Sequence, residues 1–190
     1  MSERIDLVWL GPPETAPGWS LGRVWPVEAS PPAAQCLIEE QAGSATAAGL
    51  WLFWHAALGA PDPDAIARVT ALPGEAWHAG LRLGLGGLPG LIDFVTPTWM
   101  LNRDPDPALE ATSWRLSLHA CLIPPEALLQ LGGVDPGFTT LEAAALELGH
   151  RAIMRGLLLR HVPWMVEGEP LPGPVALPLQ DELRFVCRRF

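Results

Sequence analysis

The 190-residue chain contains no lysine and no tyrosine, so all 12 of its cationic residues are arginines. Its 21 acidic residues leave a formal net charge of −9. Nucleic-acid binding needs clustered cations to neutralise phosphates, so this balance argues against a nucleic-acid partner. The densest basic cluster is Arg184, Arg188 and Arg189, close to the C-terminus.

Long apolar runs are also missing, because no stretch reaches the roughly 18 uncharged residues of a membrane-spanning helix. Residues 1–10 carry Glu3, Arg4 and Asp6, which argues against a secretory signal. We therefore expect a cytoplasmic protein that does not span a membrane. The three cysteines are far apart and odd in number, so they predict neither a zinc site nor a disulfide framework.

What the chain does contain is an alternation of apolar strands and helices. Strands are predicted over residues 5–10, 22–27, 49–54 and 76–82, and helices over 33–42, 65–72 and 180–189. Residues 113–163 read as a strand, a short helix, a Gly-Gly-Val-Asp turn, an acidic helix and a strand. Residues 84–90 are a predicted loop and 91–112 a predicted lid. The alternation predicts one α/β domain over residues 1–190, with a mostly parallel sheet flanked by helices.

The turn and the helix after it carry the candidate site residues. Gly132 and Gly133 allow a tight turn with positive φ before Asp135 and let a ligand approach the backbone; the alternative is an ordinary helix C-cap. Glu142 and Glu147 are five residues apart and therefore point about 140° away from each other on a helix. Only one of them can face a given site, and we expect Glu147 to face solvent.

Three segments resemble family-2-like glycosyltransferases. CLIPPEALLQLGGVDPGF at 121–138 resembles their R-E-A-L-x-x-x-G-G-F-D-E-x-F, and LEAAALELGHRAIMRGLLLRHVP at 141–163 resembles their E-D-x-D-L-x-x-R-x-x-x-x-G pattern. GLWLFWHAALGAPDPDAIARV at 49–69 is similar to the strand that ends in their Asp-x-Asp triplet. The resemblance implies a GT-A (nucleotide-diphospho-sugar transferase) fold. It also implies transfer of a sugar from a nucleotide sugar to a hydroxyl acceptor, on a glycan or another molecule.

The resemblance also implies roles for individual residues. Glu142 falls at the position of the general base, which withdraws the proton that makes a sugar hydroxyl a poor nucleophile. Asp135 would help shape the acceptor site, whose wall would be the backbone of Gly132 and Gly133. Nine tryptophans are present, and sugar rings stack on such platforms. Trp99 and Trp114 lie near the implied acceptor region, and core packing is the alternative for both.

The chain departs from the family at the acidic triplet, which reads His55-Ala56-Ala57. The family's Mn²⁺ or Mg²⁺ prefers carboxylate ligands, and alanine supplies none, so the pattern argues against metal-assisted departure of the diphosphate. His55 is the one donor left at this cofactor-binding position. The charge of the leaving group would fall to an arginine such as Arg103, or to a Mn²⁺ or Mg²⁺ ion held by other residues. Only 54 residues precede His55, which implies a shortened nucleotide subsite with Glu28 as the acid that reads the base.

A second hypothesis belongs to another class of protein. The missing triplet and the short N-terminal half are also expected of a catalytically inactive relative that binds a glycan or a partner protein. Independently of these two hypotheses, the many tryptophans and the short N-terminal half also fit a homo- or hetero-oligomer in which another subunit completes the donor site. His78 and His119 alternate with apolar neighbours and either face a cleft or are hydrogen-bonded structural histidines.

Overall fold

The computed structural model describes residues 4–42, 49–79, 92, 109–167 and 177–190. Its strands are β1 (Ile5–Leu10), β2 (Val24–Val27), β3 (Leu50–His55), β4 (Ala76–Ala79), β5 (Ala111–Thr112), β6 (Ala120–Ile123) and β7 (Leu159–His161). Its α-helices are α1 (Pro31–Gln41), α2 (Pro63–Val69), α3 (Pro125–Leu131), α4 (Leu141–Met154) and α5 (Leu179–Arg189). Among these described helices, none is long and apolar enough to cross a membrane.

The strands form one mixed sheet in the order β2-β1-β3-β6-β4-β7-β5. Five of them run in one direction, because β6 is antiparallel to both its neighbours and β5 is antiparallel to β7. The predicted α/β architecture, a mostly parallel sheet flanked by helices, is confirmed. One of the two edge strands is β2, which contains Pro26; a proline has no N–H to donate and is tolerated at an edge.

Alternation along the strands divides the core into two layers, one on each face of the sheet. Val8 and Phe53 belong to the layer covered by α1, α3, α4 and α5. Leu7 and Leu52 belong to the layer covered by α2 and the 3₁₀ turn Pro163–Met165. Because both faces are covered, β1 and β3 are continuous apolar runs rather than alternating ones.

Short polar residues set where the helices begin. Ser30 and Thr140 are the N-caps of α1 and α4, each accepting a hydrogen bond from the backbone N–H three residues on. At the other end of the α3–α4 connection, α3 ends at Gly132, whose φ of 88° lies in the left-handed region that glycine adopts without strain. Residues 113–119, predicted as part of a strand, are irregular and lead into β6 at Ala120.

Candidate functional site at the carboxyl edge of the sheet

The carboxyl ends of three neighbouring strands lie side by side at one edge of the sheet. Leu10 of β1 pairs in register with Val27 of β2 and His55 of β3. Because β6 runs in the opposite direction, its beginning reaches the same edge. There the backbone N–H of His55 donates to the carbonyl oxygen of His119 at 2.7 Å. The reversal of β6 therefore brings two histidines together that are far apart in the chain.

Glu142, in the first turn of α4, completes this arrangement. His119 Nε2 lies 3.2 Å from Glu142 Oε1, and the His55 and His119 rings meet edge to face with centroids 4.9 Å apart. The His119 side chain is 6% exposed and that of Glu142 is 20% exposed. We call these three residues the His55–His119–Glu142 group.

The electrostatics of the group favour an ionised Glu142 carboxylate and a neutral His55 ring. Burial alone would raise the pKa of Glu142. Two hydrogen bonds, from His119 and from its own backbone N–H, lower it, and the charge interactions with His119 and His55 act in the same direction. Together they outweigh burial, so the pKa of Glu142 is below its usual value. Burial, and next His119, lower the pKa of His55 against the opposing effect of Glu142. His55 Nδ1 accepts the N–H of Ala57 at 3.1 Å, so the neutral ring carries its proton on Nε2.

The residues at this edge do not fit the metal that the family pattern implies. Ala56 and Ala57 offer no ligand in their 3₁₀ turn, and Nδ1 of His55 is already engaged by the backbone. In the part of the chain that the structure describes, no group of three or more His, Cys, Asp or Glu side chains is arranged to hold a metal ion. Mg²⁺ and Mn²⁺ sites are built chiefly from oxygen ligands, which are missing from this turn.

The predicted acceptor-site residues of the glycine turn lie elsewhere. Asp135 accepts hydrogen bonds from Arg184 (Nη2, 2.6 Å) and from the backbone N–H of Gly137. Burial would raise its pKa, but Arg184, Gly137 and Arg188 hold the pKa below its usual value. Asp135 and Gly132 line a cavity on the side of α4 that carries Glu147. The turn is therefore not assembled around Glu142.

The prediction that Glu147 faces solvent is wrong. Its side chain is 1% exposed and accepts a hydrogen bond from Arg151 Nε at 2.9 Å. Arg189 forms a second ion pair with the same carboxylate. The 140° separation from Glu142 holds, but α5 packs against this face of α4 and supplies the cation that makes burial of Glu147 tolerable.

The remaining predicted site residues are dispersed. Trp114 is buried, with its ring centroid 6.0 Å from His150 and 6.4 Å from Phe185, so it packs in the core and offers no open platform to a sugar. Glu28 is exposed just after β2, two strand spacings or about 10 Å from the β3 end that carries His55. Trp99 and Arg103 lie outside the described residues.

His119 is the member of the group that sequence reasoning did not assign. Its alternation with apolar neighbours fits a structural histidine equally well, and nothing local indicates that β6 is reversed. What identifies His119 as part of the group is its closeness to Glu142, and this closeness is visible only in the folded structure.

Comparisons with known proteins give no family and a weak structural likeness. No protein-family model matches the chain, and no curated protein matches it. Among solved structures, the chain is similar to the crystal structure of GalNAc-T7 with UDP, GalNAc and Mn²⁺, at 14% sequence identity and a TM-score of 0.46. The match covers 97% of this chain and 47% of that one, so the chain spans about half of its length. With a TM-score below 0.5, the likeness carries no functional argument.

Proposed function

We propose that this protein transfers a sugar from a nucleotide-sugar donor to a hydroxyl acceptor, with Glu142 as the general base. The observation that carries the proposal is the His55–His119–Glu142 group at the carboxyl edge of the sheet. Open α/β sheets bind their ligands outside this edge. The family resemblance of residues 49–69 and 121–163 supports the same position, because its base falls at Glu142.

The proposed chemistry is a single displacement. The acceptor oxygen forms a bond to the anomeric carbon, the bond from that carbon to the diphosphate oxygen breaks, and the acceptor proton passes to Glu142. The lowered pKa of Glu142 keeps the carboxylate ionised and able to take this proton. His119 occupies one site on Oε1, and a carboxylate has further lone pairs for the acceptor hydroxyl.

The remaining roles in the proposal rest on the sequence alone. Arg103 would offset the charge of the leaving diphosphate, Trp99 would stack on the acceptor, and Glu28 with His55 would contact the donor. No step is assigned to a metal ion, since the residues at His55-Ala56-Ala57 do not fit one.

A second candidate function is that of a glycosyltransferase-like protein that binds a glycan or a partner protein without catalysis. The observation that favours it is the same pair of alanines, Ala56 and Ala57, which stand where the family carries carboxylates. The two candidates differ in whether a bound donor is turned over.

Thermal unfolding with a panel of UDP-, GDP- and dTDP-sugars, with and without Mn²⁺, tests donor binding. A donor at 100 times its dissociation constant should add about 2.7 kcal/mol to the free energy of unfolding. A shift without Mn²⁺ supports the proposal as stated. A shift that requires Mn²⁺ contradicts the poor metal fit, and the absence of any shift contradicts the transferase.

A transfer assay then separates the two candidates. Glu142→Gln should reduce turnover by about 10² to 10⁴-fold while leaving the donor-induced shift unchanged. Glu126→Gln is the matched control, because Glu126 is an exposed acid in the first turn of another helix. Donor binding without turnover in the unmodified protein would favour the binding module.

A further inference from the structure

Arginines gather on the side of α4 that faces away from Glu142. Four of the 12 arginines of the chain make ion pairs there, namely Arg151, Arg184, Arg188 and Arg189. The carboxylates they contact are two, Asp135 and Glu147. Cations therefore outnumber these acidic partners two to one, although the whole chain has a net charge of −9.

A cavity of about 270 Å³ opens beside this cluster. Three arginines (Arg151, Arg188 and Arg189) and two carboxylates (Asp135 and Glu147) line it, together with Gln35 and Gly132. Its volume lies just below the range of drug-sized ligand sites, which is room for a small metabolite. Glu142 is not among its lining residues, so the cavity is separate from the site of the proposed function.

Two of the arginines are held in place by a buried carboxylate. Glu147 lies 2.8 Å from Arg151 Nη2 and also pairs with Arg189. Arg151 donates a further hydrogen bond to the carbonyl oxygen of Gly133 at 2.7 Å. Arg151 also donates from Nε to Glu147 and from Nη1 to the carbonyl oxygen of Leu131, so one of its five N–H groups remains for a ligand. Arg189, oriented by its ion pair with Glu147, supplies the further N–H groups that binding of a planar or tetrahedral oxyanion requires.

The positive charge at the cavity is only partly compensated. Arg188 reaches Asp135 with Nε at 3.3 Å, and 53% of its side chain is exposed. Nε of Arg189 is buried without a hydrogen-bond partner among the described residues. Burial lowers the pKa of Arg189, and Arg151 and Arg188 lower it further against the attraction of Glu147 and Asp135. An anion in the cavity would relieve this repulsion.

A purely structural role explains part of the cluster. Arg188 and Arg189 stand in the last turn of α5, where cations complement the helix dipole. The ion pair of Arg189 with Glu147 fastens α5 to α4, and that of Arg188 with Asp135 fastens it to the α3–α4 connection. Fastening alone requires neither an excess of cations nor an open cavity between them.

We propose that this cavity binds the phosphate or carboxylate group of a small metabolite. The shared chemistry is that of an oxyanion held by Arg188 and Arg189, with Arg151 behind them. A nucleotide sugar is not the expected ligand, because the cavity lies on the other face of α4 from Glu142.

The test uses the full chain and two probes, inorganic phosphate and citrate, each titrated by calorimetry at constant ionic strength. Side-chain Nε–Hε resonances of the arginines are followed by NMR in the same titrations. We expect saturable binding of at least one probe with a shift of the Arg189 Nε signal. Preference for phosphate or for citrate identifies which of the two groups the site takes.

Arg188→Gln should weaken that binding by about tenfold or more, since it removes one charge-assisted contact. Arg23→Gln is the matched control, because Arg23 is exposed at the β2 edge and lies outside the cavity. Absence of saturable binding up to millimolar concentrations overturns the proposal, and so does equal weakening in the two variants. The titration of the unmodified chain decides the matter even where Arg188→Gln fails to fold.

Discussion

Asp181 of α5 accepts hydrogen bonds from both the backbone N–H and the hydroxyl of Thr140, at 3.0 and 2.8 Å. It accepts the same two groups of Thr139, each at 2.9 Å, and is 1% exposed. Thr140 is the N-cap of α4, the helix that carries Glu142. One buried carboxylate near the end of the chain therefore fixes the start of the helix that bears the candidate base.

Asp181→Asn should destabilise the protein by about 2 to 4 kcal/mol, measured by urea denaturation. The substitution removes a charged acceptor and places an amide –NH₂ among four donors, which leaves buried groups unpaired. Asp64→Asn is the control, since Asp64 is an exposed acid in the first turn of α2. It should change the free energy of unfolding by less than about 1 kcal/mol. Equal effects of the two substitutions would contradict the anchoring role of Asp181.

A second prediction concerns the contact between His119 and Glu142. His119→Gln should raise the pKa of Glu142. The hydrogen bond from His119 lowers this pKa and burial raises it, so removing His119 leaves the effect of burial less opposed. The acid limb of any pH–rate profile should move to higher pH, since the base must be ionised to act. A ¹³C-carboxyl NMR titration measures the pKa of Glu142 independently of activity.

Glu110 provides the internal reference for that titration. Hydrogen bonds from Trp164 and Arg160 lower its pKa, and neither partner belongs to the His55–His119–Glu142 group. The pKa of Glu110 should be the same in the two proteins. An unchanged pKa of Glu142 in His119→Gln would show that His119 does not hold the carboxylate.

Local patterns were enough to predict most of the elements that build the sheet. The apolar runs at 5–10 and 49–54 became β1 and β3, and the proline- and acid-bearing start at 61–64 became the beginning of α2. These signals are local because they depend on burial of consecutive residues and on unsatisfied N–H groups in a first helical turn.

Strand direction and the burial of single polar residues could not be predicted in the same way. The reversal of β6, which brings His119 beside His55, depends on pairing with strands distant in sequence. Helical spacing predicted that Glu142 and Glu147 point in different directions. It could not predict that Arg189 of α5 forms an ion pair with Glu147. Long-range partners decided both outcomes, and a single sequence does not display them.

The buried His78 should make the protein sensitive to acid. Burial, and next His161, lower the pKa of His78 to about 3, against the hydrogen bond with the Ser113 carbonyl. The folded pKa lies below the unfolded value of about 6.5, so the unfolded state takes up the proton first as pH falls. His78 alone should therefore lower the free energy of unfolding by up to about 1.4 kcal/mol for each pH unit between about pH 6.5 and pH 3.

His78→Leu isolates the effect, because the slope of stability against pH is independent of what the substitution does to stability at neutral pH. We expect a flatter decline between pH 6.5 and 4 in urea denaturation series, with the remaining slope due to His55, His150 and carboxylates such as Glu142 and Asp135. His55→Asn should flatten it less, since His55 is only partly buried. A slope unchanged in His78→Leu would show that folding does not lower the pKa of His78.

The last prediction compares two glycines, Gly133 and Gly156, to distinguish the cost of backbone strain from the cost of a steric collision. Gly133 and Gly156 have φ of 71° and 82°, where any other residue is strained. A Cβ on Gly156 meets nothing within 4 Å, whereas one on Gly133 collides with the Gln35 side chain, whose Oε1 accepts the N–H of Val134 at 2.8 Å. Gly156→Ala should cost about 1 to 2 kcal/mol from strain. Gly133→Ala should cost about 1 to 3 kcal/mol more, because Gln35 must give way and leave that N–H unpaired.

Thermal denaturation of the two variants, and of Gly133→Ala combined with Gln35→Ala, tests this prediction. The double variant should be less destabilised than the sum of the two single ones, and strict additivity would contradict the collision.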